Sequence, residues 1–358
     1  MATRRHFIAG LLASGLYPNV SWSDIGNPQF LSAARMPDGT HRMFGLSARG
    51  EVLFSIPLPT RGHAGAAHPI HAEAVAFARR PGTYGNVIDC AKGVIISHLK
   101  LPEGRHFYGH GCYSQDGNIL YTTENEYEAA RGVIGIWDRR KNYARIGEFA
   151  SGGVGPHEML RLPNSDIFAI ANGGIETHPD MGRAKLNIPD MQPNLTYLNA
   201  QGEIIDQVVL PEDMQQNSIR HLAVRSDGRV AFAMQWQGAV IDIPPLLGLH
   251  SIGQSVTLSP ATRADTTALK GYLGSVVFTR DGQHVAASSP RGGRVQFYDA
   301  ETGARSHNYQ SDDICGLGPA TDGVFATTGT GAGVFITADG HKRAPHHNLN
   351  WDNHIIPI

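Results

Sequence analysis

Gly109-His110-Gly111, the turn residues Gln115-Asp116-Gly117 and the apolar run Ile119-Leu120-Tyr121 form one copy of a phrase that recurs along the chain. Pro156-His157-Glu158 leads in the same way through Pro163-Asn164-Ser165 to Ile167-Phe168-Ala169. Arg220-His221-Leu222 leads through Ser226-Asp227-Gly228 to Val230-Ala231-Phe232. Gly62-His63-Ala64 opens another copy with a His68-Pro69 turn, and Asp352-Asn353-His354 begins a last, shortened one. Two copies lack histidine: Ser275 precedes Arg280-Asp281-Gly282, and Cys315 precedes Thr321-Asp322-Gly323. A small-residue strand, a turn and an apolar strand, repeated about every 40–50 residues, is the signature of propeller blades.

Two intervals are longer and carry visible insertions, Gly173 to Pro193 and Pro244 to Lys270. Third strands follow the second, as in Val133 to Asp138, Leu195 to Leu198 and Val295 to Asp299. These runs are β-branched and aromatic and are bounded by Gly-containing turns, which is hairpin chemistry. The ends complement each other. Phe30 to Arg35, His41 to Ser47 and Glu51 to Pro57 supply three strands without an inner one, and Trp351 to Ile356 supplies a single strand. The expected fold is therefore all-β, a seven-bladed β-propeller whose last blade is shared by the N- and C-terminal strands. Closure of this kind removes exposed sheet edges.

The bulk composition agrees with a globular domain of this size. The chain has 358 residues, 41% hydrophobic and 17% charged, with 42 Gly and 21 Pro suited to many short strands. A formal net charge of −2 gives no basic footprint for nucleic acid or for a membrane surface. Cys90, Cys112 and Cys315 allow at most one internal disulfide, and their spacing matches no zinc or haem motif. Phosphate-binding Gly-Lys loops and His-Glu-x-x-His helices are missing from the sequence.

Thr3-Arg4-Arg5-His6-Phe7-Ile8, followed by the apolar run Phe7 to Leu16, resembles a twin-arginine export signal. The run is too short to span a bilayer, which takes about 20 residues. Ser21-Trp22-Ser23 is the weak cleavage candidate. Residues 1–25 are accordingly assigned to the signal segment and residues 26–358 to the propeller. Export makes the twin-arginine translocase a transient partner and the periplasm the expected location, with no stable membrane span.

In a propeller the first strand of each blade lines the central channel. His63, His110, His157, His221 and His354, with Cys315 and Ser275, then form a ring at one level. Neutral imidazole and thiolate ligate Fe, Cu and Zn, so the five histidines and Cys315 are the candidate metal ligands. The alternative is a wet channel whose histidines are satisfied by water. Glu158 beside His157 and Arg220 beside His221 are candidates for orienting a ligand or holding a carboxylate or phosphate. His178, Arg183 and Lys185 in the Gly173 to Pro193 insertion join them as candidate ligand-binding residues, because loops on rigid scaffolds often carry function. Glu124 to Glu128 reads as a solvated hairpin tip, and His341, His346 and His347 as part of an exposed fourth strand.

Gly174 to Asn187, with Val154-Gly155-Pro156-His157-Glu158 and Ser218-Ile219-Arg220-His221-Leu222, resembles domain-of-unknown-function family 1513. The resemblance covers nearly the whole chain after the signal. It implies an exported seven-bladed propeller in a metal context, since such genes often lie near imelysin-like and haem-peroxidase-like genes linked to periplasmic iron uptake. It transfers no catalytic residues. The combined expectation is a periplasmic propeller that binds a ligand or transition metal in a His-lined axial funnel overhung by the 173–193 loop, as an accessory to periplasmic iron-uptake proteins. The alternatives are a metalloenzyme, oxidoreductase or hydrolase/lyase, using the same ring, and a protein-docking scaffold.

Overall fold

The computed structural model describes residues 20–79, 82–321 and 323–358. Among these residues the strands form seven four-stranded antiparallel sheets. Six sheets take their strands in chain order. The seventh takes Asn350–Pro357 as its inner strand, beside Phe30–Arg35, His41–Leu46 and Val52–Leu58. Blades one to seven are numbered by their inner strands: Gly62–Ala67, Arg105–Tyr113, Pro156–Arg161, Asn217–Val224, Ser275–Phe278, Ile314–Ala320 and Asn350–Pro357. Each inner strand packs beside the next, and the seventh packs beside the first, so the ring is closed.

Local chemistry explains the repeat. In the turns at Asp116, Asp227 and Asp281 the carboxylate accepts a backbone N–H two residues on, from Asn118, Arg229 and Gln283 at 3.0–3.2 Å. The glycine after each Asp sits at positive φ, +72° at Gly117, where side-chain-bearing residues are strained. Second strands are covered on both faces, as in Glu73–Ala78, where all six residues are buried and five are apolar. Fourth strands alternate exposed and half-buried residues, as in Ala144–Ala150.

The hydrophobic core has no single centre. Seven clusters form, one at each blade–blade interface. Tyr197 and Leu195 of blade three, for example, pack on Phe232 and Ile219 of blade four. Each interface is thus a sheet-on-sheet sandwich.

Closure of the last blade is a register of five aligned pairs, from Phe30 opposite Pro357 to Arg35 opposite Asn350. Trp351 and Ile355 are buried with Phe44, Leu46 and Phe325. The packed chain begins before the boundary expected at residue 25. Trp22 is buried against blade one and donates from Nε1 to the His68 carbonyl at 2.8 Å. The twin-arginine stretch itself lies outside the described residues. No helix among the described residues is long and apolar enough to cross a membrane.

Two sequence expectations are corrected here. Glu124 is not a solvated tip residue. It is fully buried, with Arg145 at 2.7 Å and Arg105 at 3.7 Å, because the first and fourth strands of blade two, Arg105–Tyr113 and Ala144–Ala150, bring their arginines over the second strand. His346 and His347 lie past the fourth strand Gly340–Arg343, and His347 Nε2 reaches the Gly50 carbonyl at 2.9 Å. All three cysteines are free thiols.

Deleting residues 350–358 should remove the cooperative unfolding transition. The deletion strips the inner strand from blade seven and exposes the edge of Phe30–Arg35. Thermal melting followed by circular dichroism tests this, and a truncated protein that melts like the full chain would contradict the closure.

Candidate functional site

Six of the seven inner strands break their pairing register at the same level. The residues skipped are His63-Ala64, Tyr108-Gly109-His110, His157, Arg220 (just before His221), Cys315-Gly316 and Asp352-Asn353-His354. Blade five pairs regularly from Ser275 onward. A β-bulge bends the strand and re-aims a side chain. Here the bulges turn five imidazoles toward the axis. Ser32 helps to hold the one on blade seven, its hydroxyl donating to the His354 carbonyl at 2.9 Å. Gly109 is required by this crowding: its φ is +102°, and a Cβ there would lie 2.3 Å from Cδ2 of His63.

The five rings are in mutual contact. His354 stands 4.6 Å from His63, 5.0 Å from His110 and 4.9 Å from His221, ring centre to ring centre. His157 stands 4.7 Å from His221 and 5.0 Å from His110. Two sets of three, His63/His110/His157 and His110/His221/His354, each bring one ring nitrogen per residue within 4.8 Å of the others. The second set is buried throughout. Cys315 belongs to neither set. Its thiol is buried and pushed up to about 12, first by burial and then by Asp313, so it stays protonated.

Glu158 organises the second set. Its Oε2 accepts from the Leu222 backbone N–H at 3.0 Å and lies 3.2 Å from His221 Nδ1, while Oε1 faces His110 Nδ1 at 3.5 Å. Burial opposes ionisation of this carboxyl, yet the two imidazoles and their hydrogen bonds hold it below the usual carboxylate range. Both histidines thus turn Nδ1 to one carboxylate, which leaves Nε2 of each for the centre of the cluster. His110 Nε2, His63 Nδ1 and His157 Nδ1 are buried without a protein partner. A carboxylate on the remote nitrogen fixes the tautomer and raises the basicity of a metal-ligating imidazole.

Burial holds His63, His157, His221 and His354 neutral. Burial lowers His63, His157 and His354 well below 6.5, and neighbouring imidazoles with Arg79 or Arg220 add to the effect. His221 is lowered by burial against the opposing pull of Glu158. Neutral imidazole is the form that binds metal. An ion with Zn–N bonds of about 2.0 Å would draw its ligand atoms to about 3.3 Å apart. Side-chain rotation of about 1 Å closes the difference.

His110, His221, His354 and Glu158 form the floor of a cavity of about 780 Å³. Its walls are the second halves of the inner strands, including Met159, Leu222, Val276 and Leu317, and its rim is the ring of turns at Ser114, Arg225 and Asp281. The Gly173–Pro193 insertion joins the second and third strands of blade three, so it lies on the opposite face, where the inner strands begin. The cavity therefore opens away from the loop expected to overhang it. His63 and His157 are half-buried and do not line that cavity.

The remaining candidates divide. His178 accepts from the Asp180 backbone N–H and faces Glu128 at 3.1 Å, which makes it a brace of its own loop. Lys185 donates to Gln237, and Arg183 is exposed above Arg79. Arg220 is half-buried beside His157 and His221. Reading only the inner strands missed Arg79, Arg291 and Tyr272. Arg79 and Arg291 follow the second strands Glu73–Ala78 and His284–Ser289, the same blade position as the insertion, and that shared position was the available signal.

A family model described as a protein of unknown function, DUF1513, matches residues 56–358. No curated protein matches the chain in sequence. Among solved structures the chain is similar to Kuenenia stuttgartiensis hydrazine synthase, at 13% identity and a TM-score of 0.62, over 88% of this chain and 95% of that one. It is also similar to a chain in a structure of the mitotic checkpoint complex, at 13% identity and a TM-score of 0.56, over 80% and 81%. At such identity the likeness carries the fold alone.

The lowered histidines set the sign of the acid response in metal-free protein. The unfolded chain binds protons at these imidazoles near pH 6.5 while the folded chain does not, so their burial destabilises the fold as pH falls below that value. Glu158 acts in the same direction at lower pH, its stabilisation being lost as pH falls through its depressed folded value. The urea midpoint should therefore drop between about pH 7.5 and about pH 5.5, and a His63→Asn variant should drop less. Equal slopes for the two proteins would contradict neutral burial of His63.

Proposed function

The chain belongs to the DUF1513 family of proteins of unknown function, and from the geometry of its axial cluster we propose that it binds a transition-metal ion through His110, His221 and His354. The observation that carries this reading is Glu158, a half-buried carboxylate shared by Nδ1 of two histidines whose other nitrogens converge. Three imidazole ligands suit Zn, Cu or Fe(II) and leave a coordination position open. His63 and His157 lie in contact with this set and supply a second group of three through His110. The cavity on the open side of the three imidazoles favours one further reading, a metalloenzyme whose substrate enters there.

Metal analysis of purified protein, followed by Zn²⁺, Cu²⁺ and Fe²⁺ titration, tests the binding. The wild type should take up stoichiometric metal. His110→Ala/His221→Ala should lose it, and Glu158→Gln should weaken it by about 10–100-fold. Equal uptake by wild type and the double variant, or none by either, would return the cluster to a structural lining.

The proposal extends to location and partners. The chain acts in the periplasm, delivered by the twin-arginine route and working beside iron-uptake proteins. Support comes from Arg4-Arg5 ahead of Phe7 to Leu16 and from the metal context that the family resemblance implies. Replacing both arginines by lysine should leave the protein in the cytoplasm on cell fractionation. Undiminished periplasmic delivery of that variant would refute the route.

A further inference from the structure

The mouth of the channel on the face where the inner strands begin has its own chemistry. Arg79 follows the second strand of blade one, Arg220 sits in the bulge of blade four, Arg291 follows the second strand of blade five, and Arg183 and Lys185 come from the insertion of blade three. Arg79, Arg220 and Arg291 converge around Tyr272, which enters from the connection between blades four and five, while Lys185 lies in the field of Arg220 and Arg291 and Arg183 in that of Arg79. The Arg291 guanidinium lies 4.4 Å from the centre of the Tyr272 ring, and Arg79 and Arg220 both act on the same phenol. A Cβ on Gly173, at the root of the insertion, would lie 3.4 Å from Arg220 Nε. Asp352 meets this set, but Arg61 at 2.9 Å and Arg79 at 3.3 Å already bind it. Lys185 rests on the neutral oxygen of Gln237, and Arg291 on the ring of Tyr272.

We propose that this mouth binds a small multivalent oxyanion, a di- or tricarboxylate or a phosphate, held by Arg79, Arg220, Arg291 and Lys185 and covered by Arg183. Guanidinium forks match the paired oxygens of carboxylate and phosphate, and four blades deliver the cations to one place. The strain of bringing them together is visible: burial, then Arg220 and Arg291, lower Lys185, and burial, then Arg61, lower Arg79, with Arg183 adding to the effect. An oxyanion relieves that repulsion, which a metal cation entering by this mouth would increase. The site is distinct from the metal site proposed above and does not depend on it.

Calorimetric titration with citrate and with inorganic phosphate, at low ionic strength, tests the inference in four proteins: wild type, Lys185→Gln/Arg291→Gln, Arg220→Gln and metal-free His110→Ala/His221→Ala. Lys185 and Arg291 are exposed, so their substitution leaves the core untouched. Wild type should bind at least one of the two anions, more weakly as salt is raised. Lys185→Gln/Arg291→Gln and Arg220→Gln should each bind it at least about tenfold more weakly. The histidine variant should bind it as wild type does. Which anion binds separates a carboxylate ligand from a phosphate. No binding of either by wild type up to about 10 mM would overturn the proposal, as would unchanged affinity in the Lys185/Arg291 variant. Loss of anion binding in the histidine variant alone would also overturn it, because the anion would then be a ligand of the metal site.

Discussion

Pairing of Asn350–Pro357 with Phe30–Arg35 is the contact on which both the architecture and the site depend. Without it, blade seven is three strands with an open edge, and the interfaces with blades six and one lose the side chains of Trp351, Ile355 and Ile356. The same strand carries His354 into the axial cluster and Asp352 to Arg61 and Arg79. Ring closure and the assembly of the cluster are therefore one event. The hydrophobic term of that event is spread over seven interfaces, none of which faces the axis, and this frees the centre for polar side chains that a conventional core would exclude.

Those polar side chains follow from the bulges. A regular inner strand alternates its side chains between the two neighbouring interfaces. An extra residue at one level breaks the alternation and turns a side chain inward instead. Six blades do this with different numbers of skipped residues, from one at His157 to three at Tyr108-Gly109-His110 and at Asp352-Asn353-His354. The result is asymmetric. Blades seven, one, two, three and four supply imidazoles, while blades five and six supply Ser275 and Cys315, and the smaller side chains leave room for Tyr272 beside Cys315. Glu158 then turns two of the five imidazoles to a common purpose.

The blade count, the closing strand and the axial level of the histidines were legible in the sequence, because Asp-Gly turns and apolar second strands recur with the length of a blade. The departure from regular pairing at Gly109-His110-Gly111 was not read from the sequence; the glycine ahead of the histidine, at φ +102°, was its only local signal. The burial of Glu124 was not legible. An acidic run at a hairpin looks solvated until Arg105 and Arg145 are known to lie across it. Arg79, Arg291 and Tyr272 were hidden for a related reason: each stands in a connection, and nothing local says that connections of different blades meet at one mouth. The sharing of Glu158 by His110 and His221 joins blades two, three and four, and sequence order does not reveal such a three-way contact.

The set His110, His221 and His354 comes from blades two, four and seven, no two of which are neighbours. Every hydrophobic interface in the ring joins adjacent blades only, so the wheel is held at its rim, like a chain of links. The axial cluster works as a hub. Whatever ties these three nitrogens together acts across the wheel and opposes the peeling of blade seven, the natural first step of opening. Occupancy at the axis would then be read out as a slower unfolding rate and a longer lifetime under proteolysis, a mechanical role that the rim contacts cannot perform.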